Sequence, residues 1–461
     1  MTEPASVTTT TEARLRRVVV AAAVTQAAIN LDFFAMGVAL PRMATDLDTT
    51  ATALQWVVSG YLIALGAFLV AGGRLGDIFG RKRLLLIGVA IFAISSTLAG
   101  ASSEPALVVA FRVVQGLGAA IAFPVSLAIV TNAFPPERVE RAIGIVFGIA
   151  VVGTAAGPFV GGLLTETLSW RFVFWLNIPI AMIVVWLVLT SVSESRDETV
   201  PRRLDIAGLV LIVAGVAAVT FAFDKAADWG WLSAATLGLL AAGVALLVAF
   251  IAVESKVANP LLDLSLFGIR VFDVMIAAGA VGNIAYNVVI FGSTLYLQQV
   301  RDLSPIEAGA VFLALSLGAS IAGQLSGRVE RFPSWLVMTV ALAIGGATAI
   351  GLASSTAWAV YIPLFALVGF GLGLSWAYAS VATQAAVPST RAGAASGVVL
   401  TVLVGLGGIA VAVAASLIET RTGSEYGDAI RDVIRVAGVI ALVGAGLVAM
   451  VGRQRGAART G

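Results

Sequence analysis

The stretch Val18-Val-Val-Ala-Ala-Ala-Val-Thr25-Gln26-Ala-Ala-Ile29-Asn30-Leu31-Asp32-Phe33-Phe34-Ala-Met36-Gly37-Val-Ala39-Leu40-Pro41 decides the fold. It lies between Arg16-Arg17 and Arg42 and holds one charged side chain, Asp32. A helix needs about 20 apolar residues to cross the hydrocarbon core, because only a backbone bonded within its own segment is tolerated there. This run is long enough to cross, and without a signal-peptide pattern ahead of it, it reads as an uncleaved first helix. At about 1.5 Å per residue, Asp32 lies about 21 Å from Val18 and about 14 Å from Pro41, near the middle of the membrane.

Working outward, thirteen similar runs follow at 54–73, 84–101, 106–130, 141–164, 172–191, 204–222, 232–253, 272–296, 305–327, 333–353, 357–382, 391–417 and 433–452. The chain is therefore read as an all-α integral membrane protein with 14 transmembrane helices. Its 461 residues are 59% hydrophobic, with a mean hydropathy of +1.00, which excludes an ordinary water-soluble globule. Positive charge alternates between loops. One loop set, from Arg14, Arg16 and Arg17 through Arg74, Arg81 and Lys82 to Arg459, holds 20 of the 28 lysines and arginines. The other set holds seven, leaving Arg112 within a span. By the positive-inside bias, both termini are cytoplasmic and the protein lies in the cell membrane. The net charge of +2 and the pI near 9.1 reflect arginines facing an anionic leaflet, so no nucleic-acid partner is inferred.

The chain has no cysteine and no histidine, which excludes disulfides, thiol catalysis, thiolate or imidazole metal sites, histidine dyads and histidine proton relays. Its only lysines, Lys82, Lys225 and Lys256, do not follow glycine, so no nucleotide phosphate loop is present. No catalytic residues, metal site or cofactor are expected.

Charge clusters divide the chain. Residues 1–17 read as a cytoplasmic tail, disordered over 1–13, and 18–192 as a six-helix bundle. A cytoplasmic linker at 193–203 is too polar to bury. An inserted two-helix hairpin occupies 204–253, and a second cytoplasmic linker, 254–271, carries an amphipathic run, Pro260 to Phe267, expected along the inner membrane surface. A second six-helix bundle takes up 272–452, and 453–461 form a cytoplasmic tail. Six plus two plus six is a plan of two matched bundles around an insertion, and matched halves are a transporter design.

Several motifs narrow the reading. Between spans 2 and 3 lies Gly73-Arg74-Leu75-Gly76-Asp77-Ile78-Phe79-Gly80-Arg81-Lys82-Arg83. Span 1 carries Leu31-Asp32 and Ala39-Leu40-Pro41. Span 4 carries Arg112-Val-Val-Gln115-Gly116-Leu117-Gly118, and span 5 carries Gly153-Thr-Ala-Ala-Gly157-Pro158-Phe-Val-Gly161-Gly162. Leu54-Gln55-Trp56 precedes Tyr61, Trp170-Arg171 precedes Asn177-Ile178-Pro179, and Tyr296-Leu297-Gln298-Gln299 precedes Ser304-Pro305. In this order the set resembles the 14-helix drug:proton antiporter branch of the major facilitator superfamily. That resemblance implies the major facilitator fold, a gating role for Gly73, Gly76, Asp77, Gly80, Arg81 and Lys82, and an antiporter motif at the bundle interface in Gly153, Gly157, Pro158, Gly161 and Gly162.

Beside the resemblance stands a physical reading. A carboxylate at membrane depth costs roughly 2.5–3.5 kcal/mol unless paired, protonated or hydrated, so Asp32 is the best proton carrier available; a static pair with a neighbouring helix is the alternative. Arg112 and Gln115, about 9 and 14 Å below the outer end of span 4, bracket its depth. An arginine beside Asp32 favours its charged form and desolvation the protonated one, so alternating access can switch it. Arg112 as a packing anchor is the competing role. Glycines every fourth residue in span 5 let backbones approach closely, with or without a part in coupling. Asp77 either faces the positive end of span 13, after Pro388-Ser389-Thr390, or caps its own turn.

Candidate cavity residues are Gln26, Asn30, Phe33, Trp56, Tyr61, Gln115, Asn283, Tyr286, Asn287, Trp376 and Tyr378. Amides, phenols and bulky aromatics suit an amphipathic organic solute. With Asp32 alone, neutral or singly cationic substrates are favoured over divalent ones. The function expected is proton-driven export of amphipathic drugs, dyes or natural products by a monomer in the lipid bilayer. A lipid or metabolite transporter of the same fold, or a non-transporting membrane sensor, is the alternative.

Overall fold

The computed structural model describes residues 5–49, 54, 56–196, 198, 205–257, 260–262, 264–329, 331–387, 392–419 and 424–460. Fourteen helices are long and apolar enough to cross a membrane. They are α1 (Ala5–Asp46), α2 (Trp56–Phe79), α3 (Arg81–Ala101), α4 (Pro105–Ala133), α5 (Pro136–Thr167), α6 (Arg171–Ser191, interrupted at Leu176) and α7 (Ile206–Trp229). Then come α8 (Ala234–Glu254), α9 (Arg270–Leu295, continued by a π turn Tyr296–Val300), α10 (Pro305–Ser326), α11 (Ser334–Ser354), α12 (Trp358–Ala385), α13 (Ala392–Glu419) and α14 (Ser424–Thr460).

Local chemistry sets many of the ends. Proline, whose missing N–H is no loss in a first turn, opens α4, α5 and α10. The start of α10 is a full capping box: Ser304 accepts from Glu307 N, and Glu307 accepts from Ser304 N at 2.8 Å. Asp205 and Ser233 cap α7 and α8. Gly80, with φ +107°, makes the sharp break between α2 and α3 that a side chain would strain.

The first six helices pack around α4, the most buried span, and α9 to α14 pack around α9 and α12. Across the seam, α5 meets α10 and α2 meets α13, while α7 lies against both α2 and α13. The least buried span, α8, packs mainly on α7. Towards the arginine-poor end, Asp46 of α1 accepts from Trp170 Nε1 at 3.0 Å and pairs with Arg171. The Arg171 hydrogen bond holds this carboxyl below its usual range.

Three segments outside the apolar runs take definite form. The helix of α1 begins at Ala5 rather than after a disordered tail, and Glu12 within that stretch pairs with Arg138 at 2.7 Å. Likewise α14 continues through the expected C-terminal tail to Thr460. Among the described residues of Pro260 to Phe267, Leu264–Leu266 forms a 3-10 turn. Leu261 and Leu266 are buried, Leu261 in a cluster with Val70, Ile212 and Phe250, while Phe267 is exposed, so the segment is drawn only partly into the protein. Most of the 193–203 linker lies outside the described residues, as do Gln55 and Pro388 to Thr390.

The described start of that linker does connect to the turn at 73–83. Glu194 accepts from the backbone N–H groups of Lys82 (3.0 Å) and Arg83 (3.2 Å), and Arg81 N donates to Ser195 O at 2.8 Å. The start of α3 is thus capped from the far end of α6. Replacing Glu194 by alanine should lower thermal stability by about 1 kcal/mol, the usual worth of an N-terminal cap, with an unchanged melting curve as the contrary result.

Candidate functional site

Asp32 sits at the centre of a closed hydrogen-bond network. Its Oδ2 is 2.5 Å from Arg112 Nη1, and its Oδ1 accepts from Gln115 Nε2 at 3.0 Å and Asn177 Nδ2 at 2.7 Å. Arg112 donates also to Gln115 Oε1 at 2.9 Å and, through Nε, to Val57 O at 2.9 Å. Asn177 is held in turn by Ser96 Oγ at 2.9 Å, and Ser96 donates to Phe174 O at 2.8 Å. Both charges are wholly buried. Helices α1, α3, α4 and α6 each contribute a polar group, so the pair is tied to the packing of the first bundle. Within the network, Arg112 Nη2 and Asn177 Oδ1 are left without a partner in the protein.

A single aromatic layer separates this network from the central cavity. The Tyr61 ring lies 4.2 Å from Arg112 Cζ and also lines the cavity, with Phe33 roughly parallel at a centroid distance of 6.2 Å. The cavity has two lobes. The inner one, about 120 Å³, is bordered by Asn30, Phe33, Tyr61, Asn283, Tyr286, Asn287 and Trp376. The outer one, about 410 Å³, reaches Leu40, Val58, Gln299 and Tyr426 at the arginine-poor end. Phe33, Phe34, Leu62 and Asn287 border both. Towards the arginine-rich end, Phe147 of α5 packs edge-on against Trp376 of α12 at 4.3 Å, and Gly144 and Gly148 face Gly323.

The second bundle contributes amides instead of charges. Asn283 donates to Leu403 O at 2.5 Å and Asn287 to Asn283 O at 2.8 Å. Gly407 leaves room for both, since a Cβ there would stand 2.6 Å from Asn283 Nδ2 and 2.9 Å from Asn287 Nδ2.

Four expected cavity residues lie elsewhere. Gln26 is buried and donates to Phe123 O and Ser126 Oγ, fastening α1 to α4. Gln115 belongs to the Asp32 network. Trp56 turns towards the inserted hairpin, 5.1 Å from Phe221 and 5.8 Å from Lys225 Nζ. Tyr378 is buried among Met275, Ala278 and Leu374 in the second bundle. Periodicity places residues on a helix face, but not the direction that face takes in the bundle.

The glycine-rich stretch of α5 is also redirected. A Cβ on Gly153 would stand 2.3 Å from Ala27 O, on Gly157 2.7 Å from Phe34 Cβ, and on Gly161 2.8 Å from Ala35 O. Their face therefore packs on α1 within the first bundle. The contact with the second bundle uses Gly144, Gly148 and Phe159 instead. Gly162 and Pro158 are buried in the same stretch. In the 73–83 turn, Asp77 accepts from Arg81 Nε at 3.0 Å and Nη2 at 2.7 Å, a local pair one helical turn apart. Gly76 packs on Val125, Gly73 lies near Pro124, and Lys82 Nζ donates to Leu189 O at 3.4 Å.

Asn177 and Ser96 complete the site and were not singled out by the sequence as polar partners of Asp32. The available signal was an amide inside a strongly apolar run, just after Trp170-Arg171.

A membrane protein with two six-helix bundles around a central cavity has the architecture of a secondary transporter. The sequence profile of the Major Facilitator Superfamily matches residues 22–412, and the chain belongs to that superfamily. It is 33% identical over 380 residues to the tetracenomycin C resistance and export protein of Streptomyces glaucescens, covering 80% of this chain and 69% of that one. It is 34% identical over 387 residues to the puromycin resistance protein pur8 of Streptomyces alboniger, covering 81% and 76%. The fold is shared with the human organic anion transporter MFSD10 (TETRAN), with a TM-score of 0.64 at 15% identity over 94% of this chain and 99% of that one. The protein is a multi-pass membrane transporter, not an enzyme.

Proposed function

We propose that the protein is a proton-coupled antiporter that exports amphipathic drugs, dyes or natural products across the cell membrane. The arginine-rich end and both termini face the cytoplasm, and the protein works as a monomer driven by the proton gradient alone. The observation that carries this reading is the Asp32–Arg112 pair, buried at membrane depth behind Tyr61 and against the solute cavity. The names of the relatives, resistance to tetracenomycin C and to puromycin, support the substrate class.

The mechanism follows from the competition at Asp32. When charged, it is held by Arg112, Gln115 and Asn177. A proton arriving from the outer side cancels the ion pair and leaves Arg112 without its counter-charge in a low-dielectric site, which penalises the arrangement. The guanidinium then shifts, and with it the Tyr61 ring that it supports. That movement alters the inner lobe and favours solute release outward. Proton loss to the cytoplasm restores the pair after the bundles rock and the cavity opens inward. In this cycle the present conformation, widened towards the arginine-poor end, is the outward-facing one.

Purified protein in liposomes with a preformed pH gradient tests the proposal. Addition of puromycin or another amphipathic solute from a panel should release the gradient, and silence across the panel would count against export.

The Phe147–Trp376 contact is assigned as the inner seal. An aromatic pair contributes roughly 0.5–1.5 kcal/mol, so Trp376→Ala should raise cytoplasmic labelling of a cysteine placed at Leu69 by about twofold to twelvefold. The chain's own lack of cysteine makes the background clean. Unchanged labelling would place the seal elsewhere.

A further inference from the structure

The charge and hydrogen-bonding character of the cavity narrow the solute further, given the transport reading above. Among the described residues bordering the two lobes, none is acidic or basic. Asp32 is wholly buried and already accepts from three side chains, so it offers no free carboxylate to a cationic solute. Bringing a permanent cation into such a lining would strip its hydration without supplying a counter-charge.

Three polar groups in the lining do lack a partner in the protein. They are the hydroxyls of Tyr61 and Tyr286, residues that border the inner lobe, and Nε2 of Gln298, a residue that borders the outer lobe. Tyr61 is fully buried and Tyr286 is 9% exposed, so each hydroxyl is covered in this conformation and meets a solute only once its side chain turns towards the lobe. A buried O–H or N–H calls for an acceptor, and leaving it unmade is costly. All three can donate. The remaining surface is largely aromatic and aliphatic, with Phe33, Phe34, Phe291 and Trp376 among its flat faces.

We propose that the cavity is built for an uncharged, flat aromatic solute carrying carbonyl oxygens, which Tyr61, Tyr286 and Gln298 meet as donors. The ring system lies among the aromatic side chains, and the oxygens satisfy the three donors. Positively charged solutes of the same shape are disfavoured.

The test uses the full chain in lipid nanodiscs, with empty nanodiscs as the background. The probes are acridone, neutral with a ring carbonyl, and N-methylacridinium, the same tricycle as a permanent cation without the carbonyl. Acridone should bind at least about tenfold more tightly, a factor equivalent to about 1.4 kcal/mol. Tyr286→Phe keeps the ring and removes the donor, and should weaken acridone by about twofold to tenfold while leaving N-methylacridinium unchanged. Equal or tighter binding of the cation, undiminished acridone binding by the Phe variant, or binding of neither probe would overturn the proposal. Preferential acridone binding without acridone-driven proton flux in liposomes would support the ligand class and overturn the transport reading instead.

Discussion

Replacing Asp32 by asparagine should abolish substrate-driven proton release and, in the same molecule, lower stability by about 3–5 kcal/mol. The volume hardly changes, and an amide oxygen can still accept from Gln115 or Asn177. What is lost is the charge. Arg112 is wholly buried, and its one ionic partner among the described residues is Asp32, so the variant keeps a cation where no solvent reaches it. The double variant Asp32→Asn/Arg112→Gln removes both charges and should recover most of the lost stability, because removing a buried pair together costs far less than breaking it. Proton release should stay absent in both. Thermal unfolding in detergent reads the first quantity and a pH-sensitive dye trapped in liposomes reads the second. Equal stability of the single variant and the parent would show that the guanidinium has another means of compensation.

The second large effect is steric and separates two glycines of one helix. Gly153→Ala should lower stability by about 1–3 kcal/mol, the range for overpacking a filled interior, and cripple transport. The added Cβ would meet Ala27 O, and a backbone atom cannot rotate away as a side chain can. The neighbour it displaces is α1, which also carries Asn30, Asp32 and Phe33. Gly148→Ala should be neutral or stabilising by up to about 1 kcal/mol, since a Cβ there meets nothing within 4 Å and alanine is the better helix former. Folded yield and melting temperature compare the two directly. Matching behaviour would mean that α1 and α5 do not hold the spacing described.

Much of the fold was legible because membrane burial imposes a coarse, strong pattern. Long apolar runs and loop arginines identify spans without any knowledge of packing. The Asp32 and Arg112 juxtaposition was legible for a related reason: charges within spans are so costly that two at similar depth invite pairing. What escaped the sequence depends on rotation and partnership. Gln26 and Asn30 are one turn apart, yet Gln26 faces α4 while Asn30 borders the cavity. The glycines at 153, 157 and 161 announced a close approach but not that α1 would be the partner. Trp56 is drawn to Phe221 of the inserted hairpin, a contact between distant segments that no local spacing encodes. Asn177 carries no charge, so its amide in an apolar run signalled a buried polar group without pointing to Asp32 as its partner. The polar extensions of α1 and α14 beyond their spans read as tails because polar composition argues against burial, not against helix.

The central claim is that proton binding at Asp32 and solute movement are one process. Substrate-induced proton release from liposomes, measured side by side for the parent and Asp32→Asn at matched protein incorporation, tests it most directly. The parent should discharge the pH gradient on substrate addition, while the asparagine variant should leave it at the leak rate. Equal discharge by the two proteins would contradict the account.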